Sequence, residues 1–204
     1  MENFEKKYRE LGYKNICGID EVGRGCLFGD VVAAAVIMPS DKIIEGITDS
    51  KKLSEKKRNY YYDLILESAL AIGIGRKPAD LVDKINIKNA THRAMEEAVK
   101  NMLDKNSELV RPDLLLIDAE KIDLDIDQVA LIKGDLNCYS IACASIVAKV
   151  FRDRLCLKWE EQYPGYGIAK HKGYGTKAHM DALREKGPSP LHRRTFLKNL
   201  LNEK

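Results

Sequence analysis

The chain has 204 residues, 45% of them hydrophobic and 32% charged, a balance that predicts one compact α/β domain over residues 1–204 and excludes a disordered chain. Its apolar runs are too short to span a bilayer, and the start Met1-Glu2-Asn3-Phe4-Glu5-Lys6-Lys7 lacks the apolar core of a signal peptide, so a cytoplasmic protein is expected. The net charge of +3 hides an asymmetry: residues 149–204 carry thirteen Lys/Arg against six Asp/Glu, a basic end suited to following phosphates.

In chain order, residues 4–11 read as a helix, and residues 15–21 and 31–38 as adjacent strands. The first strand ends on Asp20 and Glu21 and runs into Gly23-Arg24-Gly25. Ser54 reads as the cap of a helix that reaches residue 69, and Leu70-Ala71-Ile72-Gly73-Ile74-Gly75 as a third strand. Residues 86–103 form an amphipathic helix in which Ile87, Ala90, Ala94, Ala98 and Met102 recur near helical spacing. Strands near 113–118 and 128–132 follow, the first ending on Asp118 and the second closing through Gly134 on Asp135. Residues 140–159 read as a long buried helix whose Ala142, Ala144, Ser145 and Ala148 permit close packing. Beyond it, residues 163–204 are expected to form a basic extension of loops and short helices. The five scattered cysteines have no metal-ligand spacing and are expected to be buried, reduced thiols.

Acids at strand ends carry the chemistry. Successive strand side chains alternate in direction, so Asp20 and Glu21 share a site only if the chain leaves β geometry there or one of them also uses its carbonyl. Gly23 and Gly25 ease that departure, and Arg24 offers a planar donor for phosphate. A dinucleotide-binding turn is disfavoured, because a strand, not a helix, follows the glycines. Each acid alone fits a helix cap or turn. Together, Asp20, Glu21, Asp118 and Asp135 make an oxygen-only set suited to Mg²⁺ or Mn²⁺, with two such ions serving phosphodiester hydrolysis. Lys170, Lys172, Lys177, Arg193 and Arg194 are the expected phosphate contacts, and Lys51 and Lys52 are placed near the substrate. The histidines are expected in loops or on surfaces, without a role.

The strings Gly18-Ile19-Asp20-Glu21-Val22-Gly23-Arg24-Gly25, Asp49-Ser50-Lys51-Lys52-Leu53-Ser54, Ile117-Asp118, Lys133-Gly134-Asp135, Ser140-Ile141-Ala142-Cys143-Ala144-Ser145-Ile146-Val147-Ala148-Lys149, Arg152-Asp153-Arg154 and His171-Lys172-Gly173-Tyr174-Gly175-Thr176 span nearly the whole chain. In this order they resemble the bacterial ribonuclease HII family. The resemblance implies an RNase H-like α/β fold: a mixed five-stranded sheet flanked by helices, with a helical C-terminal extension. It implies hydrolysis of RNA in RNA–DNA hybrids and incision 5′ of ribonucleotides embedded in duplex DNA, leaving 5′-phosphate and 3′-hydroxyl ends. Asp20, Glu21, Asp118 and Asp135 become its catalytic metal site. Gly23, Arg24 and Gly25 would recognise ribose 2′-hydroxyls, and Tyr174 would pack on the neighbouring deoxyribose. Lys51 and Lys172 complete the expected substrate contacts. A monomer without an obligate protein partner is expected. The alternatives are another RNase H-like nuclease and a silent binder of hybrids. The chain departs from the family at Cys26, Phe28 and Asp30, where proline, alanine and proline are usual; a less rigid or differently packed turn and a solvent-facing Asp30 are expected.

Overall fold

The computed structural model describes residues 4–48, 50 and 52–198. Its strands are β1 (Ile16–Val22), β2 (Val31–Ile37), β3 (Ala71–Lys77), β4 (Leu114–Asp118) and β5 (Asp127–Leu131). The helices are α1 (Phe4–Glu10), α2 (Glu55–Ser68), α3 (Ala79–Ile85), α4 (Ile87–Lys100), α5 (Gly134–Asn137), α6 (Tyr139–Gln162), α7 (Ile168–His171), α8 (Lys177–Lys186) and α9 (Arg194–Leu197). The strands form one mixed sheet in the order β3-β2-β1-β4-β5, antiparallel from β3 to β1 and parallel from β1 to β5.

β2 reads Val-Val-Ala-Ala-Ala-Val-Ile and is buried along its whole length, as a strand covered on both faces must be. On one face Cys17, Ile19, Leu115 and Ile117 pack with Ala90, Ala94, Met95 and Ala98 of α4. On the other, Ala34 and Val36 meet Ala142, Cys143 and Ile146 of α6, with Tyr62 and Ile65 of α2 outside them. This double cover explains why residues 140–148 are buried all round the helix. Gly18 sets the approach of α6, since a Cβ there would lie 2.2 Å from the Ser140 carbonyl carbon.

Alternation along β1 then decides where the acids go. Gly18 faces α6, so Asp20 does too, while Glu21 points with Cys17 and Ile19 to the α4 side. Pairing of Ile19 with Ile117 in parallel register brings Asp20 and Asp118 to the same sheet end and the same face.

The expected cap holds: the Ser54 side chain accepts from Lys57 N; at the start of α4 the Asn86 side chain likewise accepts from Asn89 N. Two expectations need correction. Residues 79–85 form α3, which was not anticipated, and Asp135 lies in the short helix α5 and not at a strand end. Lys133, in the left-handed region at φ 56°, turns the chain out of β5 before Asp135 is reached. The segment beyond α6 packs Tyr166, Ile168, Leu183 and Leu197 on Phe28, Val32 and Trp159. All five cysteines are free and buried. Among the described residues no helix is long and apolar enough to cross a membrane.

Candidate active site

Asp20 is 6% exposed and accepts hydrogen bonds from the Glu21 N–H, at 2.8 Å, and from the Ser145 hydroxyl of α6. Ser145 Oγ lies 2.9 Å from Ser50 Oγ. Because Ser145 gives its one proton to Asp20, Ser50 must be the donor in that second contact, which ties the segment before α2 to the carboxylate. Asp118 Oδ1 accepts from the Gly134 N–H at 2.7 Å, so α5 is fastened to the end of β4 with the buried Asp135 one residue on.

Burial, then the nearby charges of Glu21 and Asp118, holds the Asp20 carboxyl well above the usual carboxylate range. Burial raises Glu21 as well, with Asp118 and Glu120 adding to it and Arg24 opposing it. Asp20, Glu21 and Asp118 therefore form one negatively charged cluster. β1 stays paired through Val22, so of the two alternatives for a shared site the chain does not leave β geometry at Asp20 and Glu21; the departure comes at Gly23. Glu21 instead turns toward Arg24, 3.5 Å away. Among the described residues no group of three or more Asp, Glu, His or Cys side chains closes as a complete ligand set.

Glu120 is a member of this site that sequence reasoning missed. It takes Arg24 Nη1 at 3.0 Å on one oxygen and His92 Nε2 at 3.0 Å on the other. Burial alone would raise its carboxyl, yet the hydrogen bonds from His92 and Arg24 hold it below the usual range. The only signal in the sequence is an acid two residues after Asp118.

The Gly23-Arg24-Gly25 turn is gripped from beneath by two buried arginines. Gly23 has φ +93°, and a Cβ there would lie 2.4 Å from Arg152 Nε. Arg152, 1% exposed, donates to the carbonyls of Asp30 (3.0 Å), Phe28 (2.9 Å) and Lys172 (2.8 Å). Arg193, expected on a phosphate, is fully buried and donates to the carbonyls of Gly29 (3.0 Å) and Arg24 (2.9 Å), while its Nη2 has no partner among the described residues. Asp30, expected in solvent, is 2% exposed and pairs with Arg76 Nε at 2.6 Å, because a buried carboxylate requires a partner. Phe28 is fully buried against Trp159, Tyr163 and His192.

A sequence model described as Ribonuclease HII matches residues 17–199. A ribonuclease HII of Alkaliphilus oremlandii is 60% identical over 190 residues, covering 93% of this chain and 94% of the relative. The chain belongs to the ribonuclease HII family. It is an enzyme, a ribonuclease H with the RNase H-like α/β fold. The ribonuclease HII of Archaeoglobus fulgidus, solved in a complex with PCNA, superposes with a TM-score of 0.75 at 23% identity, over 93% of this chain and 97% of that one. Bst-RNase HIII, solved in complex with Mn²⁺, superposes with a TM-score of 0.62 at 19% identity, over 92% of this chain and 66% of that one.

Of the other residues expected at the substrate, Tyr174 and Lys172 lie by the turn. Tyr174 is 43% exposed, its hydroxyl is hydrogen-bonded to Cys26, and its ring stands 3.9 Å from the Cβ position of Gly25. Lys172 is half-buried and lines a groove with Arg58, Arg154 and Asp153; its carbonyl is held by Arg152. Lys170, Lys177 and Arg194 are exposed. Lys51 and Asp49 lie outside the described residues, but Arg58 donates to the carbonyls of Ser50 and Leu53 on either side. His179 and His192, expected on surfaces or in loops, are both buried.

Proposed function

We propose that this enzyme hydrolyses the RNA strand of RNA–DNA hybrids and incises on the 5′ side of ribonucleotides embedded in duplex DNA, leaving 5′-phosphate and 3′-hydroxyl ends. The observation that carries the reading is the cluster of Asp20, Glu21 and Asp118 at adjacent strand ends, beside a glycine turn that abuts Tyr174. Asp20, Glu21, Asp118 and Asp135 hold Mg²⁺ or Mn²⁺. The donor set fits such ions: it is oxygen-only, and burial raises both Asp20 and Glu21, with Glu21 and Asp118 adding to it at Asp20 and Asp118 and Glu120 adding to it at Glu21 against Arg24, a cost that a hard cation relieves. The chemistry those ions supply when bound is activation of a water nucleophile and stabilisation of the departing 3′-oxygen.

The protein's own groups orient the substrate. Ser145 and the Glu21 N–H keep the Asp20 carboxylate aimed, and Gly134 N–H does the same for Asp118. The backbone of Gly23, Arg24 and Gly25 reads the ribose 2′-hydroxyl, and the exposed edge of Tyr174 takes the deoxyribose beside it. Lys172 and Lys51 contact the phosphate backbone. The test is cleavage of an end-labelled duplex containing one ribonucleotide, with Mg²⁺, Mn²⁺ or EDTA, and with Asp118→Asn as control. Metal-dependent incision 5′ of the ribonucleotide that is lost in the variant supports the reading. Binding without incision by folded protein refutes it.

A further inference from the structure

Three imidazoles lie in the C-terminal layer, outside the carboxylate cluster. His179 is 0% exposed and His192 1%. Their Nε2 atoms are 3.0 Å apart, and His171 stacks on His179 with ring centroids 4.4 Å apart. The ends of this chain settle where every proton sits. The Ser189 backbone N–H is 2.9 Å from His192 Nδ1 and can only donate, so Nδ1 is an acceptor and His192 carries its proton on Nε2. That proton points at His179 Nε2, which must accept, so His179 carries its own on Nδ1 and gives it to the Tyr174 carbonyl at 2.9 Å. His171 is fixed in the same way: its Nδ1 accepts from the Gly173 N–H, and its Nε2 donates to the Tyr166 carbonyl at 2.7 Å.

The hydrogen bonds thus run one way, from Ser189 through His192 and His179 to Tyr174. An added proton on either ring sets N–H against N–H, and restoring one contact breaks the next. The titratable and charged groups facing the pair are His171 from α7, Tyr166 ahead of it and Arg194 from α9; His171 and Arg194 both oppose protonation. Burial pushes His179 below its ordinary value and His192 down to about 4. Phe28 stands edge-on to His192 at 4.7 Å, which joins the chain to the glycine turn from a second side. At the far end, the Tyr174 N–H donates to the His171 carbonyl and the Tyr174 carbonyl also accepts from Thr176 N, so the Tyr174 backbone is fixed while its ring reaches Gly25.

We propose that His179 and His192 are positioning residues, a one-way relay that sets Tyr174 against Gly25 and comes apart as a unit when protonated, so that selective binding of ribonucleotide-containing duplex is lost on the acid side. The proposal rests on the substrate role assigned to Tyr174. Neither ring touches the substrate; both act through the Tyr174 backbone.

The first measurement is long-range ¹H–¹⁵N NMR of the histidine rings at pH 7.5. His179 as the Nδ1–H tautomer, the minority form of free histidine, and His192 as Nε2–H are the expected result. His179 as Nε2–H overturns the relay. The second is the ratio of Kd for an all-DNA duplex to Kd for the same duplex with one ribonucleotide, in EDTA, at pH 7.5 and 4.0, with folding checked by circular dichroism. The ratio is expected to fall about twofold on acidification in the wild type, as about half of the His192 rings take up a proton, and to change little in His192→Gln, which keeps a donor but does not titrate. Protonation of the carboxylate cluster tightens binding to both duplexes and so leaves the ratio in place. A wild-type ratio independent of pH overturns the proposal. Tyr174→Ala tests the underlying reading separately: if it leaves the ratio at pH 7.5 untouched, the substrate role of Tyr174 fails and the functional half of the proposal with it, while the tautomers still decide the relay.

Discussion

Asp20→Asn is expected to make the protein more stable at neutral pH while removing its nuclease activity. The substitution keeps the side-chain shape and an oxygen to accept from the Glu21 N–H, but it takes one charge out of a buried cluster in which Glu21 and Asp118 both oppose Asp20. Two like charges in contact cost about 4 kcal/mol at an effective dielectric of about 20 and about 1 kcal/mol in water. Arg24, 3.5 Å from Glu21, and the partial exposure of Asp118 place this site toward the lower figure, for a net relief of about 1–2 kcal/mol. In a chain of this size that raises Tm by about 2–8 °C. The assay is thermal unfolding of both proteins in EDTA at pH 7.5. The pH dependence has a definite sign. The Asp20 carboxyl is raised in the fold, so its contribution to stability is fully present below the ordinary carboxylate range and is lost as pH rises through the raised value. The advantage of Asp20→Asn must therefore shrink on acidification toward pH 4. Added Mg²⁺ should stabilise the wild type more than the variant. A variant that melts at or below the wild type in EDTA at pH 7.5, or whose advantage grows on acidification, refutes the account of the cluster.

Three further outcomes are expected. Arg152→Met leaves the carbonyls of Phe28, Asp30 and Lys172 without their donor and should lower stability by about 3–5 kcal/mol in urea unfolding, with Arg152→Lys failing to restore it because an ammonium cannot span the three acceptors. Phe28→Ala empties a fully buried site among Trp159, Tyr163, Tyr166 and His192 and should cost about 3–5 kcal/mol by the same measurement, even though alanine is the residue usual in the family at this position. His192 is held neutral down to about 4, so the unfolded chain takes up a proton near its ordinary value before the fold does. Its contribution is present above that value and is lost as pH falls to about 4, up to about 3 kcal/mol that His192→Gln should not show in a pH series of melts.

What the sequence reveals is what is local and periodic. The unbroken apolar run of β2, the Ser54 cap, the face of α4 and the small residues of α6 are all legible within a few residues of themselves. So are the acids that follow the apolar runs of β1 and β4, and parallel pairing does the rest. The seven residues of α3 are too few to show a helical period, and nothing in Lys133-Gly134 announces a left-handed lysine that ends β5. The burial of Asp30 and Arg193 is illegible for a different reason. Polar and charged side chains belong outside unless a partner calls them in, and the partners here are remote: Arg76 reaches the Asp30 carboxylate across 46 positions and Arg193 the Gly29 carbonyl across 164. Contacts of that range leave no mark on either segment alone.

The same long contacts explain how the turn after β1 keeps its shape without the prolines usual in the family. Proline would fix φ locally at positions 26 and 30. Here Cys26 retains an N–H and gives it to the Gly23 carbonyl, while the carbonyls of Arg24, Phe28, Gly29 and Asp30 are each taken by a guanidinium from α6 or from the start of α9. Leu27 N–H pairs with the Gly173 carbonyl and Arg193 N–H with the Leu27 carbonyl, which stitches the turn directly to the segment bearing Tyr174. Rigidity that proline would place in the loop itself is therefore supplied by the C-terminal layer. Two elements assigned to opposite sides of a ribose–deoxyribose step, Gly23-Arg24-Gly25 and Tyr174, become one body, since Arg152 binds the carbonyls of Phe28 and Lys172 at once. A substrate contact divided between segments about 150 positions apart is preorganised only if something spans them. In this chain that span is a buried arginine, so damage to the C-terminal layer must reach the glycine turn as well as Tyr174.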